Sequence, residues 1–216
     1  MVLKFLFLES VFGYGKINST NLNLAAGRRG QCVTDSSDRM RLSLDRSLAS
    51  ARRMEFDKLE FAKVMFMKLV QAEQKQIERI VEISKAAFDS DIAVGATSVG
   101  GPPEYDSVAW HEQMFNERHL FQAEIYGEII GGALLFLIDD GKMLYIGRIF
   151  VDPIHHRKGY GISLMELVES YYPSVKKIVL DTPLWNVRTN DFYKKLGYSE
   201  VKRDKEFAYY QKELDC

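Results

Sequence analysis

Cysteine is scarce in this sequence, and no apolar stretch is long. The 216 residues include two cysteines, Cys32 and Cys216, which lie near opposite ends and have no partner at metal-ligand spacing. The sequence therefore predicts neither a disulfide framework nor a metal site, and it indicates a reducing, cytoplasmic compartment. The apolar run at 5–8 stops at Glu9, and none approaches the ~20 residues of a bilayer-spanning helix. We therefore expect no cleaved signal peptide and no membrane partner.

Charge of either sign is not in excess, because the formal net charge is −1 at pH 7. A chain without surplus positive charge has no general attraction for phosphate backbones, so we expect no nucleic-acid partner. Hydrophobic residues make up 46% of the chain and charged residues 27%, which is typical of a soluble globular protein. The length suits one domain with a sizeable core.

The N-terminal quarter differs in composition from the remainder. Residues 1–54 hold seven of the thirteen arginines but two of the sixteen lysines. No apolar period persists over 13–53, so we predict that 1–66 is a poorly ordered extension and that the domain spans 67–216. Two alternatives remain: an organelle address, against which Asp35, Asp38 and Asp45 argue, and a segment foreign to the natural domain.

Regular patterns begin near residue 67. Apolar residues at helical spacing predict helices, and runs of apolar residues predict strands. Three of these runs are separated by Gly127 and by Asp139-Asp140-Gly141, which are typical turn residues, so they predict an antiparallel meander. Together they predict a mixed α/β fold, a mostly antiparallel twisted sheet flanked by helices. The predicted helices cover 77–88, 107–117, 161–172 and 187–196, and the predicted strands cover 120–126, 129–138, 143–151, 177–182, 198–202 and 207–212.

One strand leads directly into a loop suited to phosphate. The strand ending at Val151 continues through 152–155 into His156–Gly161 and then into a predicted helix. A helix N-terminus has unpaired N–H groups and about half a positive charge, so it stabilises a nearby anion. The third glycine of a dinucleotide loop and the Gly-Lys-Ser/Thr of a Walker loop are missing, which disfavours both. Taken alone, the segment would be read as a ligand-free basic turn.

The surrounding chain changes that interpretation. The segments 149–153 and 156–161, followed by 180–186 and 191–198, resemble the GNAT superfamily of acyltransferases. Its motif, Gln/Arg-x-x-Gly-x-Gly/Ala, follows a strand that ends Val-x-Pro. The blocks occur in the family's order and spacing, and the resemblance covers roughly 67–214. His156 stands where Gln or Arg is usual. Because backbone N–H groups hold most of the phosphate, we expect binding to persist, with a strength that depends on pH as the imidazole titrates.

The resemblance implies the GNAT fold, acetyl-CoA as co-substrate and no metal. Two strands are expected to splay apart around the pantetheine arm, with backbone groups of Phe150 and Val151 facing it. Asn186 is also suited simply to capping the next helix. The residues implied to bind the co-substrate are Phe150, Val151, His156, Arg157, Lys158, Gly159, Tyr160, Gly161, Asn186 and Tyr193.

The resemblance suggests a proton donor but does not identify a general base. Family members use a tyrosine at the position of Tyr193 to protonate the departing thiolate; the alternative is an aromatic residue at the core edge with its hydroxyl in water. Some relatives carry a glutamate where this chain has Tyr145 or Gly147, so the general base stays open. Glu124 is the first candidate. The other candidates are Glu104, Asp106 and His111, and each of the four would act through a water. The remaining alternative is an acceptor that arrives already deprotonated.

We therefore predict an N-acetyltransferase that moves acetyl from acetyl-CoA directly to a primary amine of a small molecule or protein. Acceptor contacts are expected from 99–111, and from Trp110, His111 and Trp185. Arg148 is interpreted as a solvated strand-end residue, with binding of an acidic acceptor group as the alternative. The rival function is a non-catalytic acyl-CoA sensor or partner module, and homodimer formation stays open. A nucleic-acid module on the basic tail is disfavoured because no aromatic residues alternate with its arginines.

Overall fold

The computed structural model describes Met54, Glu55, Lys58 and residues 66–214. The predicted extension 1–66 lies almost entirely outside this part of the chain, as do both cysteines. Among the described residues, no helix is long and apolar enough to cross a membrane. The same residues contain no group of three His, Cys, Asp or Glu side chains placed to hold a metal ion.

All the predicted helices and strands are present, and most of their ends lie within one residue of the prediction. The strand that begins the sheet was not predicted, because five residues are too few to show a period. The α-helices within 66–214 are α1 (Ile77–Asp89), α2 (Val108–Asn116), α3 (Tyr160–Tyr171) and α4 (Val187–Lys195). The strands are β1 (Met67–Gln71), β2 (Leu120–Ile125), β3 (Glu128–Ile138), β4 (Met143–Val151), β5 (Lys177–Pro183), β6 (Ser199–Arg203) and β7 (Phe207–Glu213).

The strands form one seven-stranded sheet in the order β1-β2-β3-β4-β5-β7-β6. Every neighbouring pair is antiparallel except β4 and β5, which are parallel. The predicted meander is confirmed, and its turns have the expected chemistry. Gly127 and Gly141 adopt positive φ angles of 83° and 78°, which residues with a side chain rarely adopt.

Helices cover both faces of the sheet. Gln122, Gly132 and Phe150 are directly paired across β2, β3 and β4, so they share one face. Phe150 packs there against Phe88 of α1, with ring centroids 6.3 Å apart. Phe121 points to the opposite face, where its ring centroid lies 5.0 Å from that of Tyr171 in α3. The sheet core therefore lies between α1 and α3.

The pairing between β4 and β5 is short. It covers three positions and ends at Tyr145 and Val179, after which the strands diverge. Leu134 pairs with Arg148 and Leu135 with Ile146, so Gly147 is the extra residue of a β-bulge in β4. A bulge bends its strand and increases the local twist, which explains why β4 turns away from β5. We call the space between 146–151 and 180–183 the β4–β5 gap.

Candidate active site

The loop after β4 brings a helix N-terminus to the end of the β4–β5 gap. Asp152 begins it: its carboxylate accepts a hydrogen bond from Ile154 N (3.2 Å) and forms an ion pair with Arg79 (3.1 Å). Gly159, with φ 88°, is the N-terminal cap of α3, and the helix begins at Tyr160, one residue before the predicted start. The unpaired N–H groups and positive dipole end of α3 therefore follow β4 directly.

The loop is open and positively charged. Arg157 and Lys158 are both solvent-exposed. No described atom lies within 4 Å of the position that a Cβ on Gly159 would take, so the glycine serves the backbone conformation and not close packing. The loop backbone is therefore accessible at Gly159, with two cations beside it.

His156 is turned toward the strand and not toward the open side of the loop. Its Nε2 donates to the Val151 carbonyl over 2.9 Å. Burial is the largest influence on this imidazole and lowers its pKa below the ordinary 6.5. The side chain is therefore mainly neutral at pH 7, and its contact ties the loop to the end of β4.

Phe150 and Val151 were both predicted to face the pantetheine arm, but their backbone groups point to opposite sides of β4. Asp152 N donates to Ile130 O of β3 over 2.8 Å. Successive strand residues direct their backbone groups to alternate sides, so Phe150 also pairs with β3. Val151 points the other way, as the bond from His156 to its carbonyl shows. Of the two residues, Val151 offers backbone groups to the gap.

Buried polar side chains gather where β5 leads into α4. Asn186 Oδ1 accepts from Thr189 N over 3.1 Å, so Asn186 caps α4. Its Nδ2, together with Thr182 Oγ1 and Thr189 Oγ1, is buried and has no hydrogen-bond partner among the described residues. Buried unsatisfied polar groups are costly, by about 1–3 kcal/mol each. These donors suit an arm rich in amide groups, such as pantetheine.

The two predicted catalytic residues lie in different parts of the fold. Tyr193 is fully buried, with its ring 5.7 Å from that of Tyr198 and 6.1 Å from that of Tyr210. The alternative of a hydroxyl in water is therefore wrong. Glu124 accepts from Gln122 Nε2 over 3.3 Å on β2, which β3 separates from β4. The fold does not bring Glu124 to the β4–β5 gap.

Two of the three predicted acceptor residues meet at Arg148. The guanidinium lies 4.1 Å from the ring centroid of Trp110, and its Nη2 donates to the carbonyl of Pro103. Arg148 is 3% exposed, so the expectation of a solvated arginine is wrong. Burial lowers its pKa to about 10. His111 packs beside Trp110, whereas Trp185 lies in the β5–α4 connection and is 42% exposed.

The sequence did not predict a buried pair at the start of the gap. The Tyr145 hydroxyl donates to Asp181 Oδ1 over 2.8 Å, which joins the last paired residue of β4 to a residue of β5 just beyond the pairing. Burial, followed by the neighbouring carboxylate, raises the pKa of Tyr145 well above its ordinary value. The available signal was an acidic residue directly after the apolar run Ile178–Leu180.

The acetyltransferase (GNAT) family model matches residues 77–198, and the chain belongs to this family. Solved structures with the same fold include an acetyltransferase from Thermus thermophilus, at 15% identity and TM-score 0.59, covering 70% of this chain and 99% of that one. Another is the PaiA N-acetyltransferase from Thermoplasma acidophilum in complex with coenzyme A. It has 16% identity and a TM-score of 0.56, and the match covers 68% of this chain and 99% of that one. A third is the ribosomal-protein-S18-alanine N-acetyltransferase from Escherichia coli. It has 17% identity and a TM-score of 0.56, and the match covers 69% of this chain and 95% of that one. A search of curated proteins returned no match.

The family match confirms the predicted GNAT fold and the acyltransferase class. Acetyl-CoA is the acyl donor that this family uses. The identities to the solved structures are too low to transfer an acceptor, so they support the fold alone.

Proposed function

We propose that this protein is an N-acetyltransferase that moves acetyl from acetyl-CoA directly to a primary amine of a small molecule or a protein. The observation that carries the proposal is the β4–β5 gap, which ends at the N-terminus of α3. A gap in the middle of a sheet leaves strand backbone groups available to an extended arm, and a helix N-terminus attracts phosphates. Family membership supports the same conclusion.

The residues present fit coenzyme A. Val151 directs backbone groups toward the gap, and the Asn186 Nδ2 is a buried donor without a described partner. Both suit the amide groups of pantetheine. The N–H groups at the start of α3, with Arg157 and Lys158 beside them, suit the diphosphate.

Acetyl-CoA supplies a thioester that is activated toward amines. A bond forms between the amine nitrogen and the acetyl carbon, and the carbon–sulfur bond breaks. The nitrogen gives up one proton and the departing thiolate takes one, so that the products are an N-acetyl amide and the free thiol of CoA. We assign the proton donated to sulfur to the Tyr193 hydroxyl, supported by the family position of this tyrosine and by its burial.

Thermal stability tests co-substrate binding. Acetyl-CoA at about 100 times its dissociation constant should stabilise the fold by about 2.7 kcal/mol. The double variant Arg157→Glu/Lys158→Glu should weaken this effect, because it reverses both exposed charges on the loop. Lys142→Glu/Lys205→Glu is the matched control, since both lysines are exposed and lie in turns outside the loop. A melting curve that acetyl-CoA leaves unmoved would count against any CoA role.

Thiol release from acetyl-CoA across a panel of amines tests transfer itself, with the acetylated product identified by mass. Tyr193→Phe keeps the ring packing and removes the hydroxyl, so kcat should fall at least tenfold in a protein that acetyl-CoA still stabilises. Equal rates for both proteins would remove Tyr193 as the acid. Stabilisation without thiol release on any amine would favour the non-catalytic acyl-CoA module.

A further inference from the structure

A cavity of about 540 Å³ lies against the C-terminal half of the sheet. Such a volume is within the range of small-molecule sites, about 300–1,000 Å³. Its walls are mainly aromatic and aliphatic. The residues that line it are Phe136, Ile138, Tyr145, Val179, Leu180, Asp181, Val201, Lys202, Tyr209 and Tyr210.

The cavity adjoins the start of the β4–β5 gap. Tyr145 and Val179, the last residues that pair β4 with β5, both line it, and Asp181 lies two residues further along β5. The proposed acyl donor occupies that gap. A molecule in the cavity therefore lies beside the place where the two strands separate to admit the thioester.

Two charged side chains line this cavity, and they differ in position. Asp181 is 5% exposed and is held by the hydroxyl of Tyr145 over 2.8 Å. Lys202 is exposed, with its Nζ 5.0 Å from the ring centroid of Tyr209. The interior end thus carries a carboxylate within apolar walls, and the solvent side carries a cation.

We propose that this cavity binds the acyl acceptor, and that the acceptor is a small monoamine with an aromatic or branched aliphatic skeleton whose ammonium group pairs with Asp181. The inference rests on the proposed acetyl transfer and names its substrate class. A carboxylate accepts several hydrogen bonds at once, so the bond from Tyr145 is compatible with an ammonium donor. The Coulomb attraction between the two charges is also stronger inside apolar walls than in water.

The lining disfavours other amines. A polyamine would need a second anion along its length, and the second charged residue of the cavity is the cation Lys202. A strongly polar amine would lose hydration against aromatic and aliphatic walls without regaining hydrogen bonds. The bound ammonium gives one proton through the Asp181 carboxylate to solvent, and the neutral amine then attacks the thioester.

Thiol release with 2-phenylethylamine, 3-methylbutylamine, ethanolamine and spermidine tests the substrate class. The two apolar amines should show kcat/KM values at least tenfold above those of ethanolamine and spermidine. Equal or higher values for spermidine or ethanolamine would overturn the inference.

Two substitutions test the site. Asp181→Asn keeps an acceptor for Tyr145 and removes the charge that binds the ammonium and accepts its proton. KM for 2-phenylethylamine should therefore rise at least tenfold and kcat should fall, while the stabilisation by acetyl-CoA stays. Glu166→Gln, on an exposed position of α3, is the matched control and should change neither. Val201→Trp narrows the cavity from its exposed rim and should reduce kcat/KM for 2-phenylethylamine more than for ethylamine.

The outcomes separate the two proposals. If acetyl-CoA stabilises the protein and amines are acetylated, but Asp181→Asn leaves KM within twofold of the parent value, this inference fails and the proposed function stands. If no amine releases thiol, both fail. Melting curves of each variant show whether it is folded, and a folded Val201→Trp that treats both amines alike also contradicts the inference.

Discussion

His111 should make the stability of the fold depend on pH below neutrality. Its side chain is fully buried on α2, and its Nδ1 donates to the Ser107 carbonyl over 2.8 Å. Burial is the largest cause of a pKa lowered from 6.5 to about 4, and the nearby Arg148 charge lowers it further. The folded protein therefore resists protonation at a pH where the unfolded chain already accepts the proton.

The direction of the pH dependence follows from the number of protons that the folded and unfolded states bind at His111. Between pH 6.5 and 4 the unfolded state binds more protons at His111, so the free energy of unfolding rises with pH through this window. The stability contributed by neutral His111 is fully present above pH 6.5, the pKa of this group in the unfolded chain. It is lost as the pH falls toward about 4. Each pH unit between the two values is about 1.4 kcal/mol, so the loss between pH 7.5 and 4.5 should be about 2–3 kcal/mol.

His111→Asn isolates this effect, because an asparagine amide keeps a donor near the Ser107 carbonyl and does not titrate. Urea unfolding of both proteins at several pH values from 7.5 to 4.5 gives the difference in their free energies of unfolding. That difference should shift by about 2–3 kcal/mol, to the disadvantage of the parent protein, as the pH falls. A difference that stays constant within about 0.5 kcal/mol would refute the reasoning.

Three further substitutions test other features. Asn186→Ala removes the cap on Thr189 N and should cost about 1 kcal/mol in urea unfolding, whereas Asn186→Ser should restore most of it. Arg188→Met removes the cation 2.7 Å from the buried Asp91 carboxylate and should cost about 3 kcal/mol, and adding Asp91→Asn should recover part of that; full stability in the single variant would contradict this. Gly147→Ala puts a Cβ 2.5 Å from the Phe136 ring and should cost about 1–3 kcal/mol, and Phe136→Leu in the same chain should relieve it; a cost that Phe136→Leu leaves unchanged would show that contact with the ring is not its cause.

Patterns local in the chain were sufficient for most of the secondary structure. The helical period over 77–88 predicted α1, and Gly127 and Gly141 predicted the hairpin turns that they occupy. Each of these signals depends on residues within about one or two turns of each other. The strand–loop–helix arrangement at the end of β4 was predicted on the same local basis, and α3 begins one residue from its predicted start.

The candidate site needed information that no local pattern contains. The bulge at Gly147 shifts the alternation of β4, so that Tyr145 and Arg148 lie on the same face of the sheet. A bulge depends on the register with β3, which residues on another strand decide. Trp110 and Pro103, which lie far from β4 in the chain, bury Arg148 on that face, so its position at a strand end could not predict the burial.

The amino-acid sequence by itself determined the order of helices and strands, the family and the phosphate-type loop, because each depends on neighbours along the chain. The tertiary structure alone decided that β4 and β5 separate after Tyr145 and Val179, and that Asp181 meets the Tyr145 hydroxyl there. These two residues are 36 positions apart. Only the packed sheet brings them together, since strand register and twist are set by contacts distant in sequence.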